Sequence, residues 1–215
     1  MAQSLLARYR YYIARASTAV DAVAVAAGQD PSVIASKLAQ NDSETAKKIS
    51  AEWQKPLLYK LAMTGNSMAP LLNENAREDE ARDVLFIRRL PRPTEQSVFV
   101  RDVVVMRDPS DARRKYVRRI VAAAGDEMIS DREPEKFPPF FIPDNHCWVQ
   151  CDNPAAPTRD SRSFGAIRFD HIIGRAIYAV KNATEHYRIK NSDRATAEDD
   201  IILSYEKPAL LLQVT

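Results

Sequence analysis

From Pro56 onward the chain breaks into short apolar runs. "VLFIRRL" (84–90), "SVFVRDVVVM" (97–106), "KYVRRIVAA" (115–123), "HCWVQC" (146–151) and "GRAIYAV" (174–180) are rich in β-branched and aromatic residues, and Pro, Asp, Asn and Gly separate them. That punctuation suits strands joined by turns and leaves no room for long helices. It predicts a β-rich domain over residues 56–185. Residues 1–55 lack strand signals. Gly28 reads as a helix stop, Asp30 and Pro31 as the cap and first turn of a second helix, and Ser43–Gln54 as a third helical piece ended by Pro56. The expected fold class is therefore mainly β with a helical N-terminal extension. Residues 186–215 read as a polar tail with an apolar end, "PALLLQV", that docks on its own domain or on a partner.

Composition narrows the function classes. Basic and acidic residues nearly cancel, 31 against 29, so a general polyanion binder is disfavoured and no nucleic acid is expected. The two cysteines, Cys147 and Cys151, fall on one face of a strand, too far apart to bridge easily. Zinc spacing is absent, and neither a metal nor another cofactor is expected. No stretch approaches the roughly 20 apolar residues of a membrane span. Residues 1–20 hold Arg8, Arg10 and Arg15 and no acid before Asp21. That profile fits either an organelle-targeting segment or an ordinary N-terminal helix. "FPPFFIP" (137–143) reads either as a contact for a partner or lipid headgroups, or as a turn packing its aromatics on the β core.

Three stretches carry chemistry, in a fixed order: "GNSMAP" with Ser67; "RDVVVMRDP" followed by "KYVRRIVAAAGDEM"; and "IPDNHCWVQCDNPAAPTRDSRSFGAI". Together, over about residues 60–182, they resemble the type I signal peptidase family, including its mitochondrial inner-membrane protease branch. The resemblance implies a mostly antiparallel β domain and a serine protease with a Ser–Lys dyad. In such a dyad a lysine, ordinarily of pKa about 10.4, must be made neutral by burial before it can take the serine proton.

Carried onto this sequence, the resemblance puts Ser67 at the nucleophile position and Gly65 in the oxyanion-hole region. Met68 and Pro70 shape the turn. Thr158 takes the lysine-orienting position, and Asp160 with Arg162 forms a supporting charged pair. The lysine position itself is occupied by Arg118. A guanidinium, with a pKa above about 12, cannot act as a general base. Two substitutes are conceivable. Lys115 lies three positions earlier, on the opposite strand face unless a bulge at Tyr116 brings it round. Of the three histidines, His146, His171 and His186, all lie outside the second motif, and His146 is the better placed. Arg101 and Cys151 also stand where the family has glycines.

The leading expectation is a catalytically silent relative, kept as a structural or regulatory subunit of a larger mitochondrial assembly, peripheral to the inner membrane; a plastid is the alternative compartment. Arg118 would then pair with Asp160 or another carboxylate. The alternative is an active endopeptidase that cleaves presequences or signal sequences through Ser67 and a non-standard base. A third reading, a self-cleaving repressor, needs a DNA-binding module that residues 1–55 do not convincingly supply.

Overall fold

The computed structural model describes residues 5–74, 81–129, 138–156, 159–182 and 184–211. The chain opens with helices α1 (Leu5–Ala27), α2 (Pro31–Ala39) and α3 (Ser43–Trp53). Their starts follow the sequence signals. The Asp30 carboxylate caps α2 by accepting from Ser32 N, with Pro31 in the first turn, and Asp42 caps α3 through Glu44 N and Thr45 N.

Among the described residues ten strands follow: β1 (Leu58–Thr64), β2 (Ala81–Arg89), β3 (Val103–Arg107), β4 (Lys115–Ala123), β5 (Glu127–Met128), β6 (Phe140–Phe141), β7 (His146–Gln150), β8 (Ile167–Arg168), β9 (Ile172–Val180) and β10 (His186–Arg188). A short helix, α4 (Ser161–Phe164), precedes β8, and α5 (Asp193–Leu211) closes the chain. The main sheet is an antiparallel half-barrel in the order β1-β2-β9-β3-β4-β7-β8, with β10 also on β9. β5 and β6 pair separately as a small ribbon.

Alternation along β2 shows why the sheet is covered on both sides. Leu85 and Ile87 enter one core with Met68, Val105 and Val117, while Phe86 enters a second with Tyr11, Leu58, Tyr178 and Ile202. Helices α1 and α5 roof that second core. Gly174 lies where β9 passes β2 closely: a Cβ there would come within 2.5 Å of Ile87 Cγ2 and 2.6 Å of Arg88 O. No side chain fits.

Over its described part, the stretch read as a polar tail supplies β10 and α5. Its polarity misled because several charged residues are buried partners. The Arg175 guanidinium of β9 donates to both carboxylate oxygens of Asp199, at 2.7 and 2.9 Å, and to Asp102 at 3.2 Å. Glu206 accepts from Leu57 N, Leu58 N and Tyr11 OH, tying α5 to α1 and to the start of β1. The N-terminal helix is thus packed into the fold. In the 137–143 stretch, Ile142 is buried, Phe140 lies 5.4 Å from the Trp148 ring, and Phe141 faces solvent; Phe137 falls outside the described residues.

Candidate functional site

Ser67 sits on the loop that leaves β1. Gly65 there has φ 73°, a left-handed conformation that favours glycine. The loop is clamped from within by Asn73, whose side-chain nitrogen donates to Met63 O and Gly65 O at 3.0 and 2.9 Å. Asn73 and Asp83 also exchange reciprocal bonds, Asn73 N to Asp83 Oδ2 and Asp83 N to Asn73 Oδ1, at 2.9 and 2.8 Å. Met68 and Leu72 anchor the loop in the core, and the Ala69–Pro70 peptide is cis.

The third motif grips the same loop from outside. Asn153 N donates to Ser67 O, and Asn153 Nδ2 to Asn66 O, both at 3.1 Å. Asp152, its neighbour, takes a bidentate bond from Arg119 at 2.8 and 2.6 Å. Arg119 also reaches Arg101 O at 2.8 Å. Arg101 has φ 82°, so a residue at a position expected to suit glycine does adopt glycine's conformation. Sequence reading gave no individual roles to Asn73, Asp83, Arg119 or Asn153. The "DN" pair was the available signal; the Asn73–Asp83 clamp had none.

Arg118 closes on the serine. Its Nη1 donates to Ser67 Oγ at 3.0 Å and to Val117 O at 2.6 Å, and its Nε donates to Arg159 O at 2.9 Å. The guanidinium lies 4.9 Å from the Tyr116 ring centre. Only 3% of Arg118 is exposed. Burial pulls its pKa below the ordinary value, and the nearby Cys151 and Asp160 oppose that pull. The expected ion pair with a carboxylate is not there: among the described residues every hydrogen-bond acceptor of Arg118 is neutral. Asp160 is taken by Arg162, at 2.6 Å, and by the backbone of Cys151 and Arg162. Burial raises the Asp160 pKa, but those bonds outweigh it and hold the group below the usual carboxylate range. The neighbouring Ser161 hydroxyl accepts from Val149 N.

The remaining candidates separate by place. Thr158 lies outside the described residues. Lys115 is exposed on β4, and the β4–β3 register runs without a shift from Lys115 to Arg119, so no bulge turns it toward Arg118's face. It nevertheless lines the same cavity as Ser67. His146 begins β7, four positions and roughly 13 Å of strand before Gln150, and its ring nitrogen bonds Asp144 O. Cys147 and Cys151 are free and buried.

A cavity of about 270 Å³ opens beside Ser67. Leu61, Met63 and Val117 form its apolar wall, and Lys115, Arg118 and Arg159 bring positive charge. β1, the outermost strand of the sheet order, supplies one side and β4 the other. As arranged, the site can donate hydrogen bonds to an oxygen, but the group touching Ser67 Oγ cannot accept its proton.

Comparison with known proteins gives a consistent set of relatives. Mitochondrial ATP-independent inner membrane protease subunit 2 of Arabidopsis thaliana is 37% identical over 145 residues, 66% of this chain and 67% of its own length. Subunit 1a of the same organism is 32% identical over 119 residues, 54% of this chain and 66% of its own. Mitochondrial inner membrane protease subunit 1 of Mus musculus is 27% identical over 118 residues, again 54% and 66%. No protein-family model matches the chain.

Proposed function

Because this chain belongs to the signal-peptidase-I-like family of mitochondrial inner membrane protease subunits, we propose that it is a non-catalytic member, a structural or regulatory subunit of an assembly at the mitochondrial inner membrane. One observation carries the reading: among the described residues, the side chain hydrogen-bonded to Ser67 Oγ is the Arg118 guanidinium, a fixed donor. Serine becomes a nucleophile when a neighbour removes its proton. Arg118 instead presents an N–H to the oxygen and stays charged. In this reading it stands in the place of the family's lysine. The relatives' names as protease subunits support placement in a complex with other subunits. Among the described residues no helix is long and apolar enough to cross a membrane.

A second reading, an active serine endopeptidase for presequences or signal sequences, is favoured by Lys115 on the wall of the same cavity. Peptide cleavage separates the two. Wild-type protein, Ser67→Ala and Arg118→Lys are each incubated with peptides carrying small residues before the scissile bond, and products are read by mass spectrometry. The non-catalytic reading expects wild type and Ser67→Ala to be equally inert. Arg118→Lys should gain slow, Ser67-dependent cleavage. Wild-type cleavage that disappears in Ser67→Ala would refute it and point to Lys115.

A further inference from the structure

The geometry points to a second binding site, at the end of the half-barrel where β1 starts, for an amphiphile that carries a phosphate on an apolar chain. The inference goes beyond the non-catalytic reading and holds whatever the state of Ser67.

Topology gathers the cations. β9 begins between β2 and β3 in the strand order. β2 ends at Arg89, opposite Gly174 of β9, and β3 ends at Arg107, one residue past the Met106–Ile172 pair. Arg107 in turn lies directly opposite Lys115, the first residue of β4. Two positions inward from these three stand Ile87, Val105 and Val117, all in the core that holds Met68. Strand alternation therefore puts Arg89, Arg107 and Lys115 on that one face of the sheet. Like charges directly opposite one another destabilise a strand pair, and neither Arg107 nor Lys115 has an acidic partner among the described residues. The loop between them adds Arg113 and Arg114, which share Asp111 at 3.8 and 3.5 Å. Asp108 is buried and taken by Arg159, and Glu52 is divided between Lys55 and Arg89. Positive charge is left over.

The same sheet end holds a pocket of about 490 Å³, within the size range of small-molecule sites. Tyr59, Leu90, Ile173 and two prolines make its wall apolar, and Lys55 and Arg89 are the charged groups that line it. The Tyr59 hydroxyl reaches across to β9, where a Cβ on Gly174 would stand 3.4 Å from it, and it makes no hydrogen bond among the described residues. Burial pushes this phenol up to about 12, against the pull of Arg107 and Arg89, so it stays a neutral donor within the field of both. An apolar wall takes a hydrocarbon chain; surplus cations and an unused O–H take an anion. Phosphate suits the site better than a carboxylate, because its oxygens diverge and the cations arrive from three strands rather than as one planar fork. Tyr59 lies five positions, about 17 Å of strand, before Thr64, where β1 gives way to the Ser67 loop. Of the cations, only Lys115 also lines the Ser67 cavity.

The test titrates monomeric octyl phosphate into the full-length protein by isothermal calorimetry, with inorganic phosphate and octyl glucoside as the head-only and uncharged comparators. We expect one saturable site, at least tenfold tighter for octyl phosphate than for either comparator. Arg107→Glu should weaken it at least tenfold. That substitution sets a carboxylate opposite Lys115, an attractive pair in place of a repulsive one, so the variant should fold as well as wild type; its urea midpoint checks this. Ser67→Ala and Arg118→Met should bind like wild type. No saturable binding to wild type, equal affinity for octyl glucoside, full affinity in Arg107→Glu, or a loss in Arg118→Met as large as in Arg107→Glu each overturns the inference. Cosedimentation with phosphatidylcholine vesicles, with and without phosphatidic acid, identifies the source. An Arg107-dependent gain from phosphatidic acid assigns a membrane lipid; octyl phosphate binding without that gain assigns a soluble amphiphile, and both uphold the site. None of these readouts uses peptide cleavage, so the site and the non-catalytic reading fail separately.

Discussion

Glu206 offers the sharpest test of how the N-terminal helix belongs to this fold. Its carboxylate accepts Leu57 N at 3.0 Å, Leu58 N at 2.9 Å and Tyr11 OH at 2.9 Å, with Arg15 Nη1 3.7 Å away. Leu57 and Leu58 are buried. In Glu206→Ala two backbone N–H groups lose their acceptor where water cannot replace it, at about 1–3 kcal/mol each. The Tyr11 hydroxyl loses its acceptor as well. Helix propensity contributes little, since Ala and Glu are both good helix formers. The sum is roughly 3–6 kcal/mol, a large share of the about 5–15 kcal/mol that holds a domain together. With an m-value of about 2–3 kcal/mol/M in urea, the unfolding midpoint should fall by about 1–3 M. Glu206→Gln retains one carbonyl oxygen and should lose about half as much. Asp200→Ala, which removes an exposed partner of Arg188 on the same helix, is the control and should cost about 0–1 kcal/mol. If Glu206→Ala is no worse than that control, the carboxylate does not tie α1 and α5 to β1, and the case for α1 as an integral element falls with it.

Two more outcomes follow from the same coordinates. Asp160 has a native pKa below its unfolded value, so its stabilisation is fully present above about pH 4 and is lost as pH falls through the depressed native value. Urea midpoints from pH 6 down to pH 2 should therefore show a flatter acid limb for Asp160→Asn; a wild-type-minus-variant difference that stays constant over that range refutes the assignment. On α1, Leu5, Leu6, Tyr9 and Ile13 are exposed beside Arg8 and Arg10, a basic and apolar face suited to an anionic lipid surface. At about 1 kcal/mol per basic residue, Arg8→Glu with Arg10→Glu should weaken cosedimentation with phosphatidylglycerol vesicles about tenfold or more; unchanged binding would exclude this face.

The β-rich class and the helical extension were legible because their signals are local. Asp30–Pro31 and the "VLFIRRL", "KYVRRIVAA" and "GRAIYAV" runs each dictate their own backbone. α5 was not legible, because the residues that make it part of the core, Asp199 and Glu206, are charged and find their partners across the fold. Glu206 and Leu57 are 149 positions apart, and nothing near either one announces the other.

The site divides the same way. That a guanidinium cannot serve as base follows from residue type alone; strand alternation puts Lys115 and Arg118 on opposite faces of β4, yet both line the cavity beside Ser67, which alternation does not foretell. The choice of partner does not follow, since it depends on what each carboxylate meets first. Asp160 caps α4 and finds Arg162 two residues on, a local arrangement that leaves no direct bond for Arg118. Arg118 therefore has no carboxylate in direct contact among the described residues, although the Asp160 charge acts on it from nearby, and it lines the cavity beside Ser67. A lysine made neutral by burial would have no such need of a counter-ion. In the non-catalytic reading, the guanidinium that offers Ser67 no base is the same group that brings positive charge to the cavity beside it, so one residue sets both the chemistry and the electrostatics of the site.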